Sequence, residues 1–314
     1  MAYTEPMHSL GNIAFIANPA SQNGKGAQSA AFAQERLESL VGAENVQVQL
    51  TQHARHATAL AEQWGPRCDT LVVLGGDGIV HEAVNGLMRL PQEKRPVLGV
   101  IPVGSGNDYA ASLGLSFKME EAIAQLMCGR ALQVDIGCCN GEYFTETLSF
   151  GLDAAIALDT MERRKRTGHK GTRLYLESGL DQLMHHLDAN AYHAEYVDAQ
   201  GQRREAQGSS HIFAVQMGRT YGGGFKICPQ AKLDDGLLDI CIAHARLSMP
   251  KATGIILLAK DGHHTGFKCI ESFQAQSITV EFDESPAVQI DGEPFPNTRF
   301  EVTLVPQALQ VLTA

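Results

Sequence analysis

Basic side chains are in the minority in this sequence. Lys and Arg number 25 against 35 Asp and Glu, for a net charge of −10. Broad binding to nucleic-acid phosphates needs an excess of cations, so no nucleic-acid partner is expected, although one local basic patch is compatible with this balance. Cysteine supplies no framework. The seven are odd in number, scattered at positions 68, 128, 138, 139, 228, 241 and 269, and form no C-x-x-C pair. A disulfide scaffold and a thiolate zinc site are therefore disfavoured, and the usage suits a reducing compartment. Long apolar runs are missing too. The strongest, Gly254–Ala259, stops at Lys260, far short of the roughly 20 residues a spanning helix requires. The opening MAYTEPMHSLGN has neither a basic n-region nor an apolar h-region, so no signal peptide is read there. Internal repeats and low-complexity tracts are also lacking. What remains is a globular composition, 44% hydrophobic and 19% charged over 314 residues, which suits a soluble, cytoplasmic protein of two domains.

The character of the chain changes near residue 134. Before it, short apolar runs alternate with helical patterns: strands at Ile13–Ala17, Val46–Leu50, Thr70–Leu74 and Val97–Ile101, and helices at Ala27–Leu40, His53–Trp64 and Ile79–Leu90. Continuous apolar strands separated by helices indicate a parallel sheet covered on both faces. After Val134 short strands dominate: Tyr192–Val197, His211–Met217, Leu237–Ala243, Gln276–Phe282, Ala287–Ile290 and Arg299–Leu304. Helices interrupt at Thr172–His186 and Pro250–Asp261, and the polar stretch Asp198–Ser210 reads as a hairpin connection. The expected fold is an α/β nucleotide domain over 1–134, followed by a larger, mainly antiparallel, sandwich-like β domain over 135–307.

Glycine-centred loops follow the strands of the first half, where open α/β sheets bind ligands. Gly75-Gly76-Asp77-Gly78 lies between a buried strand and a helix. It reads either as a phosphate loop, in which Asp77 needs a cation or a donor beside it, or as a left-handed turn with Asp77 as helix cap. One strand later, Gly104-Ser105-Gly106-Asn107-Asp108 repeats the arrangement. Two such loops at adjacent strand ends favour a nucleotide site. The loop Asn18–Gly26 fails as a Walker A motif, because Pro19 stands where glycine is needed and Gly26 where a hydroxyl is needed, and no G-x-G-x-x-G follows a strand.

In the second half, Asp234-Asp235-Gly236 reads as a turn before an apolar strand. Asp291-Gly292-Glu293 sets two carboxylates around a glycine, and a hydroxyl-transferring enzyme would use such a group as general base. His185-His186, His263-His264 and His53/His56 show no H-E-x-x-H spacing and are expected at the surface. Arg163-Arg164-Lys165-Arg166, with Lys170 and Arg173, is the dense basic cluster of an acidic chain. It suits either anionic lipid headgroups or a solvated helix end.

Taken in order, Asn18-Pro19, Gly75–Gly78, Gly104–Asp108, Gly222–Gly224, Asp235–Asp239 and Asp291–Glu293 resemble the diacylglycerol kinase catalytic-domain family. The likeness is strongest to its soluble bacterial lipid kinases, including the YegS-like ones, and covers nearly the whole chain. It implies that a last strand, Leu309–Leu312, returns to the first domain with residues 308–314. It implies an ATP-dependent lipid kinase acting with Mg2+ on a lipid hydroxyl. ATP phosphates would lie against Gly75, Gly76, Asp77, Gly78, Ile79, Val80 and His81, the segment continuing into Glu82. Asn18, Thr51, Gly104, Ser105, Asn107 and Asp108 would add contacts. Asp77 would help organise catalytic magnesium, Glu293 would be the proton acceptor with Asp291 as the other candidate, and a structural magnesium would sit at Asp235 with carbonyls such as Lys232 and Leu237. The substrate would lie in a membrane, so peripheral contact through Arg163, Arg164, Lys165 and Arg166 is expected, and the sequence is compatible with a homodimer. Ile79 and His81 depart from the family's usual Thr and Asn. A soluble-substrate kinase of NAD-kinase type and a non-catalytic nucleotide-binding regulator are the competing readings.

Overall fold

The computed structural model describes residues 9–167, 172–185, 187–245 and 247–314. Contacts divide the chain into two compact units, one made of the described residues up to Val134 with Gln307–Ala314, the other of Asp135–Pro306.

In the first unit, β1 (Ile13–Ala17), β2 (Val46–Leu50), β3 (Thr70–Gly75) and β4 (Val97–Pro102) are parallel, in the order β4-β3-β1-β2. The end of β14 (Arg299–Thr313) adds a parallel neighbour to β4, with Val311 opposite Leu98. Because side chains alternate faces along a strand, both sides of these apolar strands need cover. On one side Phe15, Val72, Leu74 and Ile101 pack with Ala30, Ala33 and Leu37 of α2 (Gly26–Val41), and with Ile123 and Leu126 of α6 (Met119–Cys128). Two further helices, α3 (His56–Trp64) and α4 (Asp77–Leu87), pack on each other and against β1 and β3. Three expectations shift. α4 starts two residues and ends three residues ahead of the expected Ile79–Leu90. The loop after β1 contains a short helix, α1 (Ser21–Gly24), and α3 starts three residues late because Arg55 sits in the left-handed region at φ 62°. Two helices lie outside the expected set: α5 (Asp108–Ser112), which is only five residues long, and α6, which buries Ala122, Ile123 and Leu126 on one face.

The second unit is mainly antiparallel, with strand order β13-β12-β7-β9-β10-β11-β14. Its elements include β5 (Arg130–Cys139), β6 (Glu142–Phe144), β7 (Thr147–Gly151), β8 (Asn190–Asp198), β9 (Arg203–Gln216), β10 (Leu238–His244), β11 (Ile270–Phe282), β12 (Val288–Ile290) and β13 (Glu293–Pro294). β8 pairs with both β9 and β11, as does β10, so these four ladders close on themselves. The expected connection at Asp198–Ser210 is instead mostly strand. β9 begins at Arg203, and its polar residues pair with β8 from Val197↔Arg203 to Asn190↔Ser210, leaving a tight turn. The two strands expected near the end of the chain, 299–304 and 309–312, are one continuous β14. Phe150, Phe213, Phe282 and Phe300 form the aromatic core, with centroids 4.6–6.2 Å apart. Three helices complete the unit: α7 (Leu152–Thr167), α8 (Thr172–His185) and α9 (Met249–Ala259). Among the described residues no helix is long and apolar enough to cross a membrane.

Candidate active site

The order β2-β1-β3-β4 reverses direction at β1/β3, so the loops after these two strands flank a topological switch point, the place where open parallel sheets bind ligands. Asn18 opens the first loop, its Oδ1 accepting from the Ala20 N–H at 2.9 Å. Beside it Thr51 leaves β2, its N–H donating to the Ala17 carbonyl. Gly75 ends β3 and Gly76 caps α4. Asp77 and Gly78 form the half-buried first turn of that helix, whose N-terminal N–H groups and dipole favour an anion.

The second glycine loop lies directly against the first. A Cβ on Gly76 would stand 3.0 Å from the Gly104 Cα, and one on Gly104 would collide with the Gly76 main chain. Neither residue has positive φ, so these glycines answer to main-chain contact and not to a left-handed turn. Asp77 fastens the same junction. Its Oδ2 accepts from the Asn107 N–H at 2.8 Å and its Oδ1 from the Tyr109 N–H at 3.2 Å. Asn107, at φ 58°, closes the loop on itself through both Gly104 main-chain groups. The donors held by the Asp77 carboxylate are therefore the Asn107 and Tyr109 N–H groups. Ser105 is exposed, and a cavity of about 300 Å³ opens beside it, bordered by Ser29, Gly104, Gly106, Phe117 and Met119.

Other residues expected near the nucleotide turn their side chains into the fold or onto neighbouring elements. The Ile79 and Val80 side chains are buried in the core, and His81 is buried with Asn85 bonded to its carbonyl. Glu82 turns to α3, accepting from the Arg55 and Ala57 N–H groups at 2.9 and 3.0 Å as an N-terminal cap. Asp108 is buried at the start of α5.

In the second unit the Asp291-Gly292 pair makes the two-residue turn between β12 and β13, with φ of 46° and 89° and Ile290 opposite Glu293. Positive φ at both positions is the geometry for which Asp-Gly is preferred. The Asp291 carboxylate is buried and accepts four hydrogen bonds, from the N–H groups of Thr145, Glu146 and Thr147 and from the Thr145 hydroxyl, at 2.8–3.2 Å. Glu293 is exposed. At the start of α7, Asp153 is buried, accepts from the Tyr221 hydroxyl at 2.6 Å, and is pushed up to about 6 by burial.

At the Asp235 turn, Lys232 and Asp235 are exposed and Leu237 is half-buried. Asp235 Oδ1 accepts from the Leu237 N–H, and Gln274 Nε2 stands 3.4 Å from both Asp235 and Asp239. Asp135 accepts from the Gly236 N–H at 2.7 Å and donates its own N–H to the Leu233 carbonyl. Burial and then the Asp235 charge raise Asp239 to about 6. Carboxylates and main-chain oxygens are a hard donor set, which suits Mg2+. Sequence reasoning assigned no ligand role to Asp135 or Asp239; each is a lone carboxylate inside an apolar strand, which was the available signal. His264, expected at the surface, is 2% exposed, enclosed among the 227–228 segment and β10. His186 and Lys170 fall outside the described residues, as does the Arg173 side chain. Arg163 is held by Asp159 and Asp181, both at 2.5 Å, so it is not part of a free basic cluster.

Residues 12–139 match the diacylglycerol kinase catalytic domain, and residues 146–313 match the YegS C-terminal NAD kinase beta sandwich-like domain. A Chromohalobacter salexigens protein named "probable lipid kinase YegS-like" is 33% identical over 239 residues, 75% of this chain and 73% of its own. A Yersinia pestis protein of the same name is 27% identical over 77% of each chain. The fold is shared with a solved diacylglycerol kinase of Bacillus anthracis, at a TM-score of 0.72 and 22% identity over 98% of both chains.

Proposed function

The chain belongs to the YegS-like branch of the diacylglycerol kinase catalytic-domain family, and from that premise we propose that it transfers the γ-phosphoryl group of ATP to a lipid hydroxyl. The observation that carries this reading is the contact of two glycine loops at the switch point, locked by Asp77. Phosphoryl transfer relies on positioning and on neutralising charge spread over the transferred oxygens. Main-chain N–H groups at the start of α4, free of side-chain bulk at Gly76 and Gly104, supply both without a Walker lysine. Asn18, Thr51 and Ser105 border the same sheet edge and offer polar side chains to the nucleotide. Bound Mg2+ would add charge neutralisation, held by oxygen donors such as the Asp77 carboxylate, with the Asp235 turn as the structural site. Glu293 is proposed as the group that takes the acceptor's proton. Asp291 is not, because four donors already engage its carboxylate.

The names of the relatives favour a lipid acceptor over a soluble one. Contact with the membrane is proposed through Arg164, Lys165 and Arg166 at the end of α7. Leu180 and Met184, one turn apart on α8 and about half exposed, would add apolar contact. The test is γ-labelled ATP with Mg2+ against a panel of extracted lipids. Label in one lipid band is expected. Label only in a water-soluble acceptor, or ATP binding without transfer to any acceptor, would overturn the lipid kinase reading.

A further inference from the structure

Beside the turn that carries Glu293, the sheet has a polar face closed to water. Along β7 and β12 the sequences Thr147-Leu148-Ser149-Phe150 and Val288-Gln289-Ile290 alternate polar and apolar residues, which puts the two kinds on opposite faces. Leu148, Phe150, Val288 and Ile290 are buried, as a core face should be. The polar face is buried as well. Thr147, Ser149 and Gln289 are 4%, 0% and 1% exposed, and Gln216, opposite Thr147 on β9, is 0% exposed. An amide or hydroxyl taken out of water costs free energy unless it finds a partner, so the partners of these groups carry the reason for their presence.

Those partners lead to the turn. Gln289 lies opposite Ser149 in the β7–β12 register. Its Nε2 donates to the Ser149 hydroxyl oxygen at 2.8 Å, and its Oε1 accepts from the Gly292 N–H at 2.6 Å. The direction of the amide is fixed, because a main-chain N–H can meet only the oxygen end. One buried side chain thus bridges β7 to the residue directly before Glu293. The turn is held at two points: Asp291 bonds to the 145–147 main chain, and Gly292 bonds through Gln289 to Ser149. Glu293 itself is exposed, so packing does little to place its carboxylate, and its position depends on the backbone from which it grows. Building on the base role proposed for Glu293, we infer that Gln289, seated on Ser149, is a positioning residue for that carboxylate. A general base works only within hydrogen-bond reach of the proton it takes, and a misplacement of about 1 Å can cost roughly 10²-fold. Gln289 touches none of the reacting atoms in this scheme. It acts by holding the Gly292 N–H, while Gln216, whose Nε2 donates to the Thr147 hydroxyl, steadies the strand on the Asp291 side.

The test is a set of double-mutant cycles on the full chain, with turnover per folded molecule read from γ-labelled ATP and the extracted lipid mixture. Gln289→Met keeps the length of the side chain and removes both hydrogen bonds; it should lower kcat by roughly 10–10²-fold with KM for ATP unchanged. Ser149→Ala should lower kcat by about fivefold, and should cost nothing further when added to Gln289→Met, because Ser149 acts through Gln289. In a Glu293→Gln background, Gln289→Met should again cost nothing further, since no carboxylate is left to place. Losses that multiply in either pair would give Gln289 a purely structural role and overturn the inference, as would wild-type kcat in Gln289→Met beside an impaired Glu293→Gln. Wild-type turnover in Glu293→Gln would remove the base role itself, and the positioning role with it. Should Gln289→Met fail to fold, Ser149→Ala and amide hydrogen exchange of the wild type decide the question. The Gly292 N–H should exchange as slowly as the β7–β12 ladder amides, and exchange at the rate of an open turn would overturn the inference.

Discussion

The two units solve the problem of placing polar groups by opposite means. In the first, the surface at the two glycine loops is main chain: Gly76 and Gly104 touch, and side chains such as Asp77 and Asn107 are turned inward to hold the loops. In the second, the polar groups are carboxylates set into or beside apolar strands, Asp135, Asp153, Asp239 and Asp291, each anchored by named donors. A backbone site tolerates no added atom at its contact, whereas a carboxylate site tolerates no change of charge or of hydrogen-bonding direction. Substitutions should therefore fail differently in the two units.

The sharpest contrast lies within the second unit. Glu293→Gln is expected to lower turnover by roughly 10²–10⁴ with ATP affinity and melting temperature unchanged; normal turnover would remove Glu293 from the base role. In the first unit, Gly104→Ala should weaken ATP binding by roughly 10²-fold, about 3 kcal/mol, because its Cβ meets Gly76 main chain. Calorimetry giving the wild-type affinity would break the main-chain account. Asp153 offers a pH test. Its folded value of about 6 lies above the ordinary 3.8, so between those values the folded state holds the proton that the unfolded state has lost. Stability should fall as pH rises through that window, by about 3 kcal/mol in all. Denaturation of Asp153→Asn across the window should show this slope flattened, and an undiminished slope would assign it elsewhere. Asp291→Asn replaces one carboxylate oxygen by an N–H2 that faces either the Thr145 N–H or the Glu146 and Thr147 N–H groups, and should cost roughly 2 kcal/mol of stability, with turnover per folded molecule retained. The smallest effect is expected for Glu82→Ala, about 1 kcal/mol from loss of the α3 cap. A large loss of ATP affinity there would instead make Glu82 part of the nucleotide site.

Much of the fold was legible from pattern alone. β1 and β2 match their expected limits, because apolar β-branched runs bounded by loop residues leave few alternatives. The two strand errors of the second half share one cause. At Arg203–Ser210 a polar sequence is held as strand by the facing β8, and in β14 the Val305–Ala308 stretch, with its Pro306 and its left-handed Gln307, is carried along by pairing at the strand's start and end. His264 looked like one of two surface histidines, and only its neighbours Ile227 and Cys241 reveal it as buried.

The order of glycine loops, the switch from helix-rich to strand-rich halves and the family likeness all follow from local residue chemistry and spacing, which the chain carries in one dimension. Which glycine touches which, that Asp77 is bonded across to a second loop, that Asp291 is engaged while Glu293 is exposed, and that His264 meets Cys241 were decided by folding. Those facts depend on distances between residues far apart in the chain, and such distances exist only once the sheets have set their register.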